Sequence, residues 1–183
     1  MAARVGRKVA IMILEVFFDY ACPFCLRGHN DLLEVLKAYP QVQVEWRPCE
    51  AHPRPETYGL HSDLCARGMY YARASGADVM AYHHKMYAAA HVHHADLEDA
   101  HVLAGYVSGL LNPEDFEQKL AQGAYQKELE ENNRLTWLEH GFSAVPSMVL
   151  GGRKLNSAEG IGLSRRMMAD FLESAADGES AAK

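Results

Sequence analysis

The sequence predicts an α/β domain in two pieces, with strand–helix–strand at the start, hairpin and helix at the end, and a large all-helical insertion between its two halves. Three observations predict it. The run Val9 to Phe18 has the Val, Ile and Phe density of a strand inside a sheet. Directly after it, "YACPFCLRGHN" opens a helix on a pair of cysteines. From about Gly59 to Gly141 the periodicity is helical throughout, before "SMVL", "GGRK" and "LNS" return to strand and turn.

Val9 to Phe18 lacks a regular polar face and reads as a central strand covered on both sides. Pro23 suits the first turn of a helix, where its missing N–H costs nothing. That helix is expected to run to about Ala38, stopped by Pro40, with Cys25, His29, Leu32, Leu33 and Leu36 on one buried face and Cys22 at the entrance. From Val42, "VQVEWRP" alternates as a second strand, and "AHPRPETYG" follows as a Pro-rich loop. In the helical block, Cys65 falls on a helix with Leu60 and Leu64. Asp96 is placed to cap a helix with apolar face Leu97, Ala100, Ala104 and Val107. Asn112 and Pro113 open another, ending at Gly123, and a last one runs from Ala124 to His140. The final helix is expected from about Leu163 to Ala175. This order is the thioredoxin arrangement: residues 1–56 and 142–176 form the thioredoxin fold, 57–141 the helical insertion, and 177–183 a flexible tail.

At 183 residues and 49% hydrophobic, the chain suffices for one domain with a sizeable core. A net charge of -6, with basic residues clustered only at Arg4 to Lys8, argues against nucleic acid as a partner. No stretch approaches the roughly 18 apolar residues of a membrane span, so no membrane partner is expected. The start imitates a secretory signal, but Glu15 interrupts its apolar run and the run leads straight into the cysteine pair. The expectation is a cytoplasmic protein, where a Cys-X-X-Cys pair is more often catalytic or metal-binding than a structural disulfide.

A thiolate is the nucleophile in disulfide exchange, and a helix N-terminus stabilises one. Cys22 is therefore the expected attacking thiol, and Cys25, one turn into the helix, the resolving thiol. Glu15, inside the apolar strand, and Asp19, three residues before Cys22, are the carboxylates placed for a proton relay. Each also has a plainer reading, Glu15 as a strand-end acid and Asp19 as a loop acid. The Cys-X-X-Cys spacing is also half a zinc site. Cys49 and Cys65 form no second such pair and read as buried structural thiols, so no metal and no cofactor are expected at the site. Of the 10 histidines, six fall between His83 and His101. His83 lies on an apolar face with Met86, Tyr87 and Ala90. The spacing of the others fixes no tetrahedral set.

"CPFC" at a helix start, with "GFSAVPSMVL" in the second half and "YHHKMYAAA" and "DLEDAHVLAGYVSGL" between, resembles the DsbA-like thioredoxin-fold oxidoreductases, particularly their cytoplasmic FrnE-type branch. The resemblance implies thiol–disulfide exchange through a mixed disulfide with protein or glutathione-like thiols. It implies a cis Val145–Pro146 peptide facing the cysteines, with the Val145 backbone as a strand edge for an extended substrate and Pro23, Phe24 and Pro146 beside it. Two departures stand out. Pro23-Phe24 lacks the histidine of strongly oxidising relatives, and Trp is commoner than Phe at position 24. Glutathione-dependent isomerases and transferases of the same fold, which place Ser where this chain has Cys22, are the alternative reading. A non-catalytic metal- or peptide-binding module is the other.

Overall fold

The structure is a computed structural model that describes residues 11–181, with side chains as far as residue 175. Arg4 to Lys8, Val9 and Ala10 lie outside the described residues, as do Ala182 and Lys183. Strand β1 (Met12–Phe18) leads into helix α1 (Pro23–Leu36) and strand β2 (Val42–Pro48). A helical block follows: α2 (Asp63–Ala74), α3 (Val79–His91), α4 (Ala100–Val107), α5 (Pro113–Ala121) and α6 (Gln126–Arg134). The last of these runs into a π-helical turn, Leu135–Glu139. Strands β3 (Ser147–Leu150) and β4 (Arg153–Leu155) and helix α7 (Arg165–Ala181) complete the chain. The sheet order is β2-β1-β3-β4, with β1 parallel to β2 and antiparallel to β3.

The sheet separates two hydrophobic cores. On one side Met12, Leu14 and Val16 pack with Leu32 and Val35 of α1 and Met168 and Leu172 of α7. Leu14, Leu32, Met168 and Leu172 are fully buried, and each such burial contributes about 1.5–3 kcal/mol. The other core joins Phe17, Phe18 and Tyr20 to Met69, Tyr82, Met86, Leu103 and Phe116 of the helical block, and Cys25 belongs to it. The core is thus continuous between the thioredoxin half and the insertion.

Several boundaries differ from the sequence reading. β1 is not covered on both faces along its length: Ile13 is 50% exposed, because the core shared with the helical block takes in Phe17 on that face and leaves its start open. The loop after β2 runs to Ser62, so Leu60 sits on it, exposed, rather than on a helix with Cys65. Asp99 caps α4, accepting from His101 and Val102 N–H, while Asp96 closes the preceding turn by accepting from Glu98 N–H. The helix expected from Ala124 to His140 changes pitch at Leu135, where Thr136 Oγ1 donates to Asn132 O. α7 runs on to Ala181, through most of the stretch expected to be a flexible tail.

Candidate active site

β1 delivers the chain to the edge of the sheet, where Asp19 to Ala21 turn it and Cys22 N–H donates to Asp19 O at 3.2 Å. Cys22 is the N-cap of α1, its backbone extended, with Pro23 in the first turn. A proline there removes one of the unpaired N–H groups of the helix start and leaves the others aimed at the cap. The Cys22 sulfur receives the Cys25 thiol first of all, and then the N–H groups of Cys25 and Phe24, and these hold it below the usual thiol range against burial and the charge of Asp19. Cys25 faces the core, 1% exposed. Burial, more than its bond to Cys22, pushes its thiol well above the usual range. The pair is thus one accessible sulfur that ionises readily and one sheltered sulfur that does not. All four cysteines are free thiols, and Cys49 and Cys65 are fully buried.

Across from Cys22 the loop before β3 presents Val145, whose carbonyl oxygen accepts from Cys22 Sγ at 3.7 Å. The Val145–Pro146 peptide is cis. Ser147 Oγ anchors this loop, donating to Ala144 O at 2.8 Å and accepting from Ser157 N–H at 2.9 Å.

Asp19 lies beneath the pair, 1% exposed. Its amide N–H donates to Cys25 Sγ at 3.4 Å. Its carboxylate accepts from Ala21 N–H at 2.7 Å, Ala51 N–H at 2.8 Å and Ser62 Oγ at 2.6 Å. Burial raises its pKa in spite of these bonds, which oppose the shift. Glu15, the other carboxylate singled out from sequence, is placed differently. It accepts from Arg47 Nε at 3.0 Å and Arg47 Nη2 at 2.8 Å, a half-exposed pair between neighbouring strands, and it does not line the groove above Cys22. The structure brings Asp19 to the cysteines and leaves Glu15 with its cross-strand arginine.

That groove has a volume of about 560 Å³ and takes in Asp19, Cys22, Pro23, Phe24 and Val145. Pro146 does not line it but supports Val145 from behind, packed over Gly28 of α1. Phe24 is flanked by the Arg27 guanidinium, 5.3 Å from the ring centroid. The remaining walls were not legible in the sequence: His52 and Leu60 from the loop after β2, Trp137 from the π-turn, and the Ala158–Gly160 stretch. Trp137 Nε1 donates to Glu50 O at 2.9 Å, which sets the indole against the groove.

The histidines of the 83–101 region do not converge on one point: two reach Tyr20, one at its hydroxyl and one at its backbone carbonyl, and others turn elsewhere. His83 is fully buried, with Nδ1 2.8 Å from Tyr20 Oη. His91 Nε2 donates to Tyr20 O at 2.8 Å, His101 pairs with Glu117 and His93 stacks on Tyr106. Among the described residues, no three His, Cys, Asp or Glu side chains converge as a metal site, and no helix is long and apolar enough to cross a membrane.

Comparison with known proteins gives the same picture at the level of fold. A probable DsbA oxidoreductase from Streptomyces coelicolor superposes with a TM-score of 0.73 at 19% identity, covering 92% of this chain and 91% of that one. DsbA from Pseudomonas aeruginosa does so with a TM-score of 0.71 at 17% identity, covering 96% and 88%. The uncharacterised protein YwbO of Bacillus subtilis is 43% identical over 42 residues, 23% of this chain and 20% of that curated relative's length. The model of the DSBA-like thioredoxin domain matches residues 13–173, spanning the sheet, the helical block and about half of α7. With that span matched, the chain belongs to the DSBA-like thioredoxin domain family, whose chemistry is thiol–disulfide oxidoreduction.

Proposed function

We propose that the protein exchanges a Cys22/Cys25 dithiol–disulfide with protein thiols through a mixed disulfide. The observation that carries this reading is the placement of the pair at the α1 entrance: Cys22 is the partly accessible N-cap and faces Val145 O, while Cys25, one turn on, is buried, and these settings lower the pKa of the Cys22 thiol and raise that of Cys25. Cys22 thiolate attacks a partner disulfide, forming one S–S bond and releasing one partner sulfur as thiolate. Cys25 then loses its proton and attacks Cys22 Sγ. The Cys22–Cys25 bond forms, the bond to the partner breaks, and two electrons have passed to the partner. The reverse sequence oxidises a dithiol.

Asp19 is the proposed proton relay for Cys25. Burial raises the pKa of its carboxyl, the direction that favours a group carrying a proton, and its amide N–H supports the Cys25 thiolate directly.

The groove supports an extended, apolar protein segment as partner in preference to glutathione. Phe24, Leu60, Trp137 and Val145 supply apolar walls, and the Val145 backbone lies beside the reacting sulfur. Among the described residues that line it, the carboxylates are Asp19 and Glu159, and there is no Lys or Arg to hold the two carboxylates of glutathione. "CPFC", "YHHKMYAAA", "DLEDAHVLAGYVSGL" and "GFSAVPSMVL" support membership of the cytoplasmic FrnE-type branch.

The test is turnover of a reduced or disulfide-bonded protein substrate. Cys22→Ser is expected to abolish it, and Cys25→Ser to accumulate a mixed disulfide visible by mass. Turnover that survives loss of Cys22 would exclude the mechanism.

A further inference from the structure

The groove contains an imidazole oriented by a carboxylate, and the exchange described above does not use it. His52 stands in the loop between β2 and α2 and shares the groove with Cys22 and Phe24. Its Nδ1 lies 3.0 Å from Glu56 Oε2. A carboxylate at Nδ1 fixes that nitrogen as the protonated one in the neutral ring and leaves Nε2 free to accept or deliver a proton. The ring is also held in place. Tyr58 meets it edge-on with centroids 4.8 Å apart, and Gly59, at φ +82, lies so close that a Cβ there would run into the imidazole.

The backbone of the same loop is fixed relative to the cysteines. His52 O accepts from His61 Nδ1 at 2.9 Å. The Asp19 carboxylate accepts from Ala51 N–H through one oxygen and from Ala21 N–H through the other. One buried group therefore ties the residue ahead of His52 to the residue ahead of Cys22, and the charge of His52 acts on Asp19.

Exchange has an unsolved proton on the partner's side. The α1 N-terminus stabilises charge on Cys22, but the partner's sulfur departs as a thiolate into a groove whose other charged groups, Asp19 and Glu159, are acidic. Neither Pro23 nor Phe24 carries a side-chain donor. General acid catalysis works best with a group that titrates near the working pH, the range imidazoles occupy.

We propose that His52, aligned by Glu56, is the proton-transfer residue on the partner side of the exchange. As Cys25 thiolate bonds to Cys22 Sγ, the bond from Cys22 to the partner sulfur breaks and its electron pair stays on that sulfur, which takes the proton from His52 Nε2. His52 is left neutral and regains a proton from water. In reverse, neutral His52 takes the proton from an incoming thiol. The titratable groups around the ring are Glu56, Tyr58 and His61 of its own segment, and Asp19, Cys22 and Glu159 of the groove.

This rests on the exchange reaction proposed above, and the test separates the two. The full chain carrying Cys25→Ser is loaded at Cys22 with a series of small thiols of graded acidity, and release of each by an added dithiol is timed near neutral pH. The same is done with His52→Gln and with Glu56→Gln added. With His52 intact, release depends weakly on the acidity of the departing thiol. With His52→Gln the dependence becomes steep: about 100-fold slower for basic alkyl thiols and little changed for acidic aromatic ones, with Glu56→Gln between. The equilibrium of the Cys22/Cys25 pair with glutathione, measured with both cysteines present, stays the same and certifies an intact site. An unchanged slope, or equal slowing for every thiol, overturns the role of His52 while leaving exchange standing. A wild-type protein inert to every disulfide overturns the exchange reading and this assignment with it.

Discussion

Gly28 lies so close beneath Pro146 that a methyl group at that position would come within 2.8 Å of the proline Cγ. The bare turn of α1 is what lets the Val145 loop settle against the cysteine pair. Gly28→Ala is expected to push that loop outward, with an overpacking cost of about 1–3 kcal/mol, although alanine by itself favours helix. Thermal unfolding will report the loss. Turnover should fall by more than the folded fraction does, because Val145 moves away from Cys22. Wild-type stability in the variant would show that the loop is not seated on Gly28.

Alkylation should distinguish the four cysteines. Cys22 is partly accessible and its thiolate is favoured, whereas Cys25, Cys49 and Cys65 are buried with thiols pushed upward. Native protein treated with iodoacetamide near neutral pH is expected to take one label, on Cys22, by peptide mass analysis. Because the Cys25 thiol is the leading cause of the lowered Cys22 value, Cys25→Ala should move the midpoint of the labelling rate to higher pH. A midpoint that stays put would mean that the helix start alone activates Cys22.

Asp19 should leave a signature in stability against pH. Its carboxyl is raised from the ordinary 3.8 chiefly by burial, so the folded protein binds that proton more tightly than the unfolded chain. The advantage of wild type over Asp19→Asn is therefore largest below the unfolded-state value and is lost as pH rises through the folded-state value, at up to about 1.4 kcal/mol per pH unit between them. Denaturant titrations of both proteins across the acid range measure it. The same variant should resolve mixed disulfides more slowly, since an amide cannot relay the Cys25 proton. A pH-independent difference would place Asp19 outside the titrating groups.

Glu15→Gln provides the contrasting case. The Arg47 pair is half-exposed, so its loss should cost about 1 kcal/mol or less. Exchange rates should match wild type. A large fall in turnover without a fall in stability would restore Glu15 to the proton pathway.

What was legible in the sequence was local. A proline one residue past Cys22 marks the helix entrance, and the spacing of three and four from Cys25 to Leu32 marks its buried face, because both are fixed by the geometry of a single helix. Asp96 and Asp99 show the limit of that logic. Each suits an N-cap, and the choice of Asp99 depends on where α4 meets its neighbours. The Asp19 network was out of reach: its partners Ala51 and Ser62 lie 32 and 43 residues further on, and nothing in either residue's type announces the pairing. Trp137 was hidden for a related reason, since its aim depends on a change of pitch that a regular helical pattern does not encode. Glu15 misled because a carboxylate in an apolar run looks buried until the neighbouring strand contributes Arg47.

Cys25 is packed into the core that the inserted helices build, not the one between α1 and α7. Burial in that core, to which α2 to α5 contribute side chains remote in sequence from the motif, is the leading cause of that sulfur's reluctance to ionise. Exchanging residues at that contact offers a dial on the electron affinity of the pair that leaves the four letters "CPFC" untouched, so proteins with identical motifs are free to run in opposite directions.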